Sequence, residues 1–494
     1  VLERANDQQR DGVFTDISLT KTAIPNLQVD PTFASPSPGW AGPVFSQPLY
    51  FVNTSIGRDM VIVTTDSNEI YALDPITGAN VWPPITQLVP PIDTKNMQCN
   101  GSVSPIGITG TPVIDPTTRT MYLNAGTTLT EAGNAVPHYQ IFAIDLDDGS
   151  TVANYPVDIE GVTISYTGGT RPFVSSVQNQ RGALLLLNGT LYIPYGGLDG
   201  DCGEYRGVVL SVPVANPTAV SGWETAAASG GGIWGPSGVT SDGTSLFIST
   251  GNTNSDPTFP TLWPDANSEA IIRLGAANPP TFSGNATDYM APSDPTNSGC
   301  ASSACGWYKD DEDDADLGSS GVVLFTVPGA TPSALAFALG KTDNAYLASQ
   351  SNLGGISTGL SEIASASNQV FGSMAAYTSN GVTYVVANAS GNGTCSGSMA
   401  TFTVSATNPP KLGGGWCTGA GGTGSPIVST SDGTNDYMVW GLNGNLNAID
   451  GDTGKTLVSV GVGNYTHWVT PIIAKGAIYV AGNNQVYKFS LPCP

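Results

Sequence analysis

The sequence predicts an all-β protein: a single β-propeller of four-stranded antiparallel blades, eight of them or, as the alternative, seven. Three observations predict it. The composition suits short strands and tight turns, with 61 glycines, 36 prolines and only 11% charged residues in 494, and with Thr, Ser, Val, Ile, Tyr and Asn filling the runs between the glycines. No long stretch carries an apolar i, i+3, i+4, i+7 pattern. A strand-turn-strand unit recurs, degenerately, from one end of the chain to the other.

The clearest copies are IYALDPITGANVW from Ile70, IFAIDLDDGSTVA from Ile141 and LNAIDGDTGKTLV from Leu446. In each, a strand runs into an Asp, a Thr-Gly or Asp-Gly turn follows, and a strand leaves. The Asp is expected to cap the turn and the Gly to take its left-handed position. Weaker echoes at Val208–Val214, Ala270–Leu274, Ala345–Ser349, Met399–Val404 and Val486–Leu491 extend the series. The units number roughly eight, spaced roughly 40 to 75 residues apart, the length a four-stranded sheet with turns requires. Alternating stretches such as Met60–Thr64, Thr190–Ile193 and Ala477–Val480 supply inner strands. One such sheet leaves a face bare, whereas a ring of them buries both faces and protects the edges. Residues 1–494 therefore read as one domain, with a polar, Pro-rich loop insertion at about 256–316 that holds Cys300 and Cys305.

A net charge of −23 with 16 basic residues argues against nucleic-acid binding and against attraction to an anionic membrane, both of which need clustered Lys and Arg. No apolar run reaches the roughly 18 residues of a membrane helix. The chain starts at Val1 without a signal sequence, as a processed, secreted product would. Sequons at Asn53, Asn100, Asn188, Asn285, Asn388, Asn392 and Asn464, and seven cysteines without a C-x-x-C pair, favour an extracellular, disulfide-stapled glycoprotein. Cys300 with Cys305 and Cys395 with Cys417 are candidate pairs, and the odd count leaves one thiol over.

The most informative stretch for function is Gly230–Asp256. Trp234 follows three glycines and offers a flat face to a planar ligand or to the core. Asn252 ends a short apolar strand, where its carbonyl can meet a hard cation or hold its own turn.

The repeat IYALDPITGANVW resembles those of the pyrroloquinoline-quinone (PQQ)-type propellers, the quinoprotein alcohol dehydrogenase-like superfamily. Ordered similarities follow along most of the chain, in Ser46–Phe51, in Gly107–Asp115, in Gln178–Arg181 with the LLLLNGTLYIPYGG after it, and in Trp468–Pro471 with Ala477–Val480. The sequence looks closest to a secreted branch of this superfamily without an assigned function. The resemblance implies PQQ with a calcium or lanthanide ion, and a small alcohol or carbohydrate substrate. Carried over by motif, Trp234 in GGGIWG stacks on the quinone and Asn252 in STGN ligates the ion. The run Asp310–Asp316 resembles D-E-x-D with its lanthanide-type extension, making Asp314 the base that takes the alcohol proton and Asp316 a further metal ligand. Lys341 resembles the basic residue at the quinone oxygen, and Asp201 or Glu204 would supply the remaining metal carboxylate. The structural alternatives are a blade-core Trp, a solvated acidic loop, a calcium site without catalysis, an exposed strand-end Lys, and a polar turn at Asp201 and Glu204. Arg171 and Arg181 are candidates for an anionic ligand without motif support.

Two departures stand out: the adjacent Cys-Cys pair of several dehydrogenases and any haem-attachment motif are missing. His138 and His467 fit no triad or zinc pattern. Two functions follow, a secreted PQQ-type oxidoreductase or a non-catalytic secreted propeller acting as a binding or structural module. The second predicts an axial channel filled by side chains or too narrow for a tricyclic ring.

Overall fold

The computed structural model describes residues 1–33, 39–99, 103–198, 203–253, 267–293, 316–341, 344–365, 371–466 and 468–492. Cys300, Cys305, Asn100 and His467 lie outside them. Among the described residues eight sheets follow one another, seven with four or more strands and one with three. The three-stranded sheet is the first, Leu49–Asn53, Arg58–Thr64 and Ile70–Leu73. Its fourth strand is reduced to bridges pairing Leu73 with Asn80 and Ile70 with Ile85. The antiparallel meanders of the eight sheets have as their first strands Leu49–Asn53, Val113–Asp115, Leu185–Leu187, Thr240–Ser241, Val322–Thr326, Ala375–Ser379, Thr423–Thr430 and Ile472–Ala474, the third sheet also taking in Thr163–Tyr166, Gly169–Pro172 and Gln178–Asn179 and the seventh Val13–Thr15.

The packing shows that the sheets form a ring. Separate apolar clusters join the first sheet to the second, the second to the third, and so on to the seventh. One further cluster joins the seventh, the eighth and the first, with Trp440, Ile472, Tyr479 and Tyr71 among its members. The eighth sheet is completed at its outer edge by Gln28–Val29, antiparallel to Val486–Ser490 in the register Gln28↔Ser490 and Val29↔Phe489. An N-terminal strand thus closes a ring that the C-terminus finishes, and no blade is left with a bare face.

The repeated turn has the predicted geometry. Asp74 Oδ1 accepts the N–H groups of Ile76 and Thr77, and Asp450 Oδ1 those of Asp452 and Thr453. Gly78, Gly149 and Gly454 hold φ of +76°, +81° and +73°. The sheet-to-sheet fit explains the Trp that ends the first repeat. A Cβ on Gly149 would lie 3.0 Å from the Trp82 ring, and one on Gly454 2.8 Å from the Trp416 ring. Each Trp therefore docks on the glycine turn of the next blade, as a flat apolar plate that only a residue without a side chain accommodates.

Residues 1–12 cross the middle of the ring. Tyr50 and Ile114 donate their backbone N–H groups to the carbonyls of Val1 and Leu2, Ser241 and Leu324 to those of Gln8 and Gln9, and Ala376 and Val428 to those of Asp11 and Gly12. Gln8 Nε2 donates to Leu186 O, and Arg4 reaches Thr470 just ahead of the eighth sheet. One short segment touches the first strand, or the residues leading into it, of every sheet, so these strands surround a common axis.

The stretch 256–316 is not all loop, since Ala270–Gly275 and Tyr289–Ala291 are strands of the fourth sheet. Cys395 and Cys417 form the expected disulfide, and Cys99 is also disulfide-bonded. Among the described residues no helix is long and apolar enough to cross a membrane. Asn188, Asn285 and Asn464 are exposed. Asn53 and Asn392 are buried, their amides donating to Leu146 O and Asp147 and to Thr401 O and Gly415 O.

Candidate functional site

The segments leading into the inner strands build a cavity on the axis. It is lined by Phe45, Thr109, Arg181, Pro236, Phe371 and Trp468, together with Trp234 and Arg4. The first six each stand four residues ahead of their sheet's first strand, at 45 before 49, 109 before 113, 181 before 185, 236 before 240, 371 before 375 and 468 before 472. A propeller brings equivalent positions of successive blades to one ring, so a fixed offset from the inner strand converges on the axis.

Trp234 is the centre of the cluster. The Arg181 guanidinium carbon lies 4.9 Å from its ring centroid and Lys341 Nζ 5.5 Å, both within cation–π range. Phe371 packs against the same indole at 5.8 Å between centroids. Trp234 Nε1 donates to Asp316 Oδ1 at 3.4 Å, and the Asn252 backbone N–H donates to the same oxygen at 3.0 Å. Lys341 Nζ sits 2.6 Å from Asp316 Oδ2, and its backbone N–H donates to the Asp316 carbonyl. Asp316 is buried. Glycines admit it: a Cβ on Gly251 would lie 2.0 Å from its Oδ1, and one on Gly340 2.1 Å from its carbonyl oxygen.

Trp234, Asn252, Asp316 and Lys341 are thus brought together. Asp201 and Asp314 lie outside the described residues. Glu204 is turned to solvent, with its side chain 87% exposed and its carboxylate 3.9 Å from Arg206. Arg171 pairs with Glu224 on the third sheet and covers Tyr166. Asp316 is met by an ammonium group, an indole N–H and a backbone N–H, donors that suit a carboxylate's lone pairs. Among the described residues no group of three or more His, Cys, Asp or Glu side chains is placed to hold an ion.

Sequence reasoning missed three contributors. Arg4, 2% exposed, donates to Ser373 Oγ, Ser425 Oγ and Thr470 Oγ1. Burial, and then the neighbouring Arg10, lower its pKa to about 9, as expected of a cation whose bonds go to hydroxyls. Asp66 is fully buried and bonded to Thr109 Oγ1 at 2.6 Å, while its Oδ2 has no partner. Burial, against the bonds from Thr109 and Gly107, pushes its carboxyl up to about 7. Glu269, also buried, takes the Leu317 N–H at 2.6 Å, one residue from Asp316. The offset of four would have pointed to Phe45, Thr109, Pro236 and Phe371 once the inner strands are fixed, but not to these three.

No family profile matches the sequence, and no curated relative does. Solved structures are similar in fold. A quinohaemoprotein alcohol dehydrogenase of Comamonas testosteroni superposes with a TM-score of 0.59 at 14% identity, over 99% of this chain and 80% of that one. A second, from Pseudomonas putida, gives 0.57 at 12% identity, over 100% and 81%. The chain has the fold of the PQQ-type β-propellers.

Proposed function

We propose that the chain is a secreted PQQ-type oxidoreductase acting on an alcohol or sugar. The convergence of Trp234, Arg4, Arg181 and Lys341 on one axial cavity carries this reading. PQQ is a planar tricarboxylate, and these residues fit it. Trp234 would take a ring face, Arg4 and Arg181 the carboxylates, and Lys341 a quinone oxygen. When bound, PQQ supplies the acceptor for the electrons leaving the substrate's carbinol carbon. The chain's residues bind, orient and hold the proton. Arg181 and Lys341 lie on the indole, so a ring stacking there exchanges cation–π contacts of about 1 kcal/mol each for charge-assisted bonds to the ligand. An anion beside Arg4 compensates a buried charge whose bonds go to hydroxyls. Asp314, two positions ahead of Asp316, is the group we propose to take the substrate's hydroxyl proton. Asn252 and Asp316 are the residues we propose for a calcium-type ion, which would polarise the quinone, and no step runs through it. Glycans are proposed at Asn188, Asn285 and Asn464.

One observation favours the second reading, a non-catalytic binding or structural module. The axial cavity holds about 30 Å³, room for one or two waters, because Arg181 and Lys341 rest on Trp234 and residues 1–12 cross the axis. Titration of the purified chain with PQQ, following tryptophan fluorescence and then dye reduction over an alcohol and sugar panel, separates the two. Saturable quenching with turnover is expected. Quenching without turnover supports the module, and no quenching with no turnover removes PQQ from both readings.

A further inference from the structure

We propose that a second cavity, between the sixth and seventh sheets, binds a neutral polyhydroxylated ligand, a single sugar ring, at a site apart from the axial one. This cavity encloses about 270 Å³ and shares Phe371 and Trp468 with the axial one. A ligand in it is therefore separated from the Trp234 cluster by two aromatic side chains.

The lining selects the chemistry. No Asp, Glu, Lys or Arg is among the described residues that line it; its polar groups are an amide, three hydroxyls and the peptide groups of glycines. An anion or a cation finds no counter-charge there, and the Ser398 and Thr423 hydroxyls, which donate to Gly421 O and Leu442 O, keep lone pairs that can accept from a ligand's hydroxyls. A pyranose meets both halves of the surface, with hydroxyls toward Ser390, Ser398 and Thr423 and an apolar C–H face toward Phe371 and Trp468.

The site is built before any ligand arrives. Asn388 Nδ2 donates to Thr423 O at 3.2 Å and Gly424 O at 2.8 Å, and its Oδ1 accepts the Gly422 N–H at 3.2 Å. The loop after the sixth sheet's second strand is thus pinned to the entry of the seventh sheet. The Cys395–Cys417 disulfide ties the far end of that loop to Leu412–Thr418. Gly424 holds φ +69°, and a Cβ on it would lie 2.0 Å from Val469 O, so the wall there is bare peptide. A rigid wall lowers the ordering cost of binding a weakly held ligand.

Calorimetry on the full chain with D-glucose, with gluconate and 1-butanol in parallel, tests the proposal. Glucose is expected to bind at least about tenfold more tightly than either control. Ser398→Phe, which fills the cavity, is expected to abolish glucose binding while PQQ quenching of tryptophan fluorescence stays as in the parent. Absence of glucose binding, equal binding of gluconate or butanol, or unchanged glucose binding by a folded Ser398→Phe would overturn it. Should that variant not fold, the three-ligand comparison on the parent chain decides alone. Glucose binding without PQQ binding would sink the oxidoreductase reading and leave the sugar site standing.

Discussion

Asp316 and Lys341 act as one unit, and their separation is measurable. Asp316 is buried and receives Lys341, Trp234 Nε1 and the Asn252 N–H. Lys341→Met strands a buried carboxylate, so a loss of about 3 to 5 kcal/mol is expected in urea unfolding. Asp316→Asn in the Lys341→Met background removes the stranded charge and should return much of that loss, an outcome that additive single losses would contradict. These residues were legible because each sits in a short motif: GGGIWG, STGN, the acidic run and the strand-entry GKTDNAY. Arg4 was not. Its hydroxyl partners lie 369, 421 and 466 residues away, and no local spacing encodes such contacts. Glu204 stands apart from this cluster. The residues around it match no motif closely, and its side chain stands exposed with the Arg206 guanidinium 3.9 Å away. Arg4→Met keeps the bulk and removes the charge, so PQQ quenching should weaken by about tenfold or more while the melting temperature changes little, because a buried ion replaced by an apolar isostere costs little.

At the scale of elements, the N-terminal hub is the part whose stability depends most on pH. Burial raises the carboxyls of Glu3 and Asp7, in both cases against Arg10. Burial and then the Asp7 charge raise Asp11 to about 7. A folded pKa above the unfolded one means that the native state keeps a proton the unfolded chain has released. Stability from Asp11 is complete below about pH 4 and is lost as pH rises through about 7, by up to about 1.4 kcal/mol per pH unit, and Glu3 and Asp7 act in the same direction. Melting temperature should therefore fall from pH 4 to 7 and level off above, and Asp11→Asn should flatten that slope; a rise with pH would refute it. The hub was invisible in the sequence because LERANDQQRDG has neither strand alternation nor a turn signature. Its conformation is imposed by the strand entries it bonds to. The blades were visible because their periodicity is local: Asp74, Gly78 and Trp82 meet the cap, the left-handed turn and the neighbouring blade within one short stretch.

For the whole molecule, closure sets the opposite limit in acid. Gln28–Val29 completes the eighth sheet, and Asp30 beside it pairs with Lys488 at 2.8 Å. Burial works against the Asp30 carboxylate, yet the bonds from Lys488 and Thr32 hold its pKa down to about 2. A depressed pKa contributes stability above about pH 4 that is lost as pH falls through about 2. The hub loosens upward from about pH 4 and the closure downward from it, so the ring should be most stable near about pH 4. A net charge of −23 at neutral pH acts in the same sense, since partial protonation relieves self-repulsion. A charge-swap cycle isolates the closure. Lys488→Glu places two carboxylates across the seam and should lower the melting temperature, and Asp30→Lys with Lys488→Glu should restore most of it, with a coupling of about 1 kcal/mol at low salt. Both effects should shrink as salt is raised. A Lys488→Glu protein as stable as its parent at every pH would mean that backbone pairing at Gln28–Val29 closes the ring without help from the ion pair.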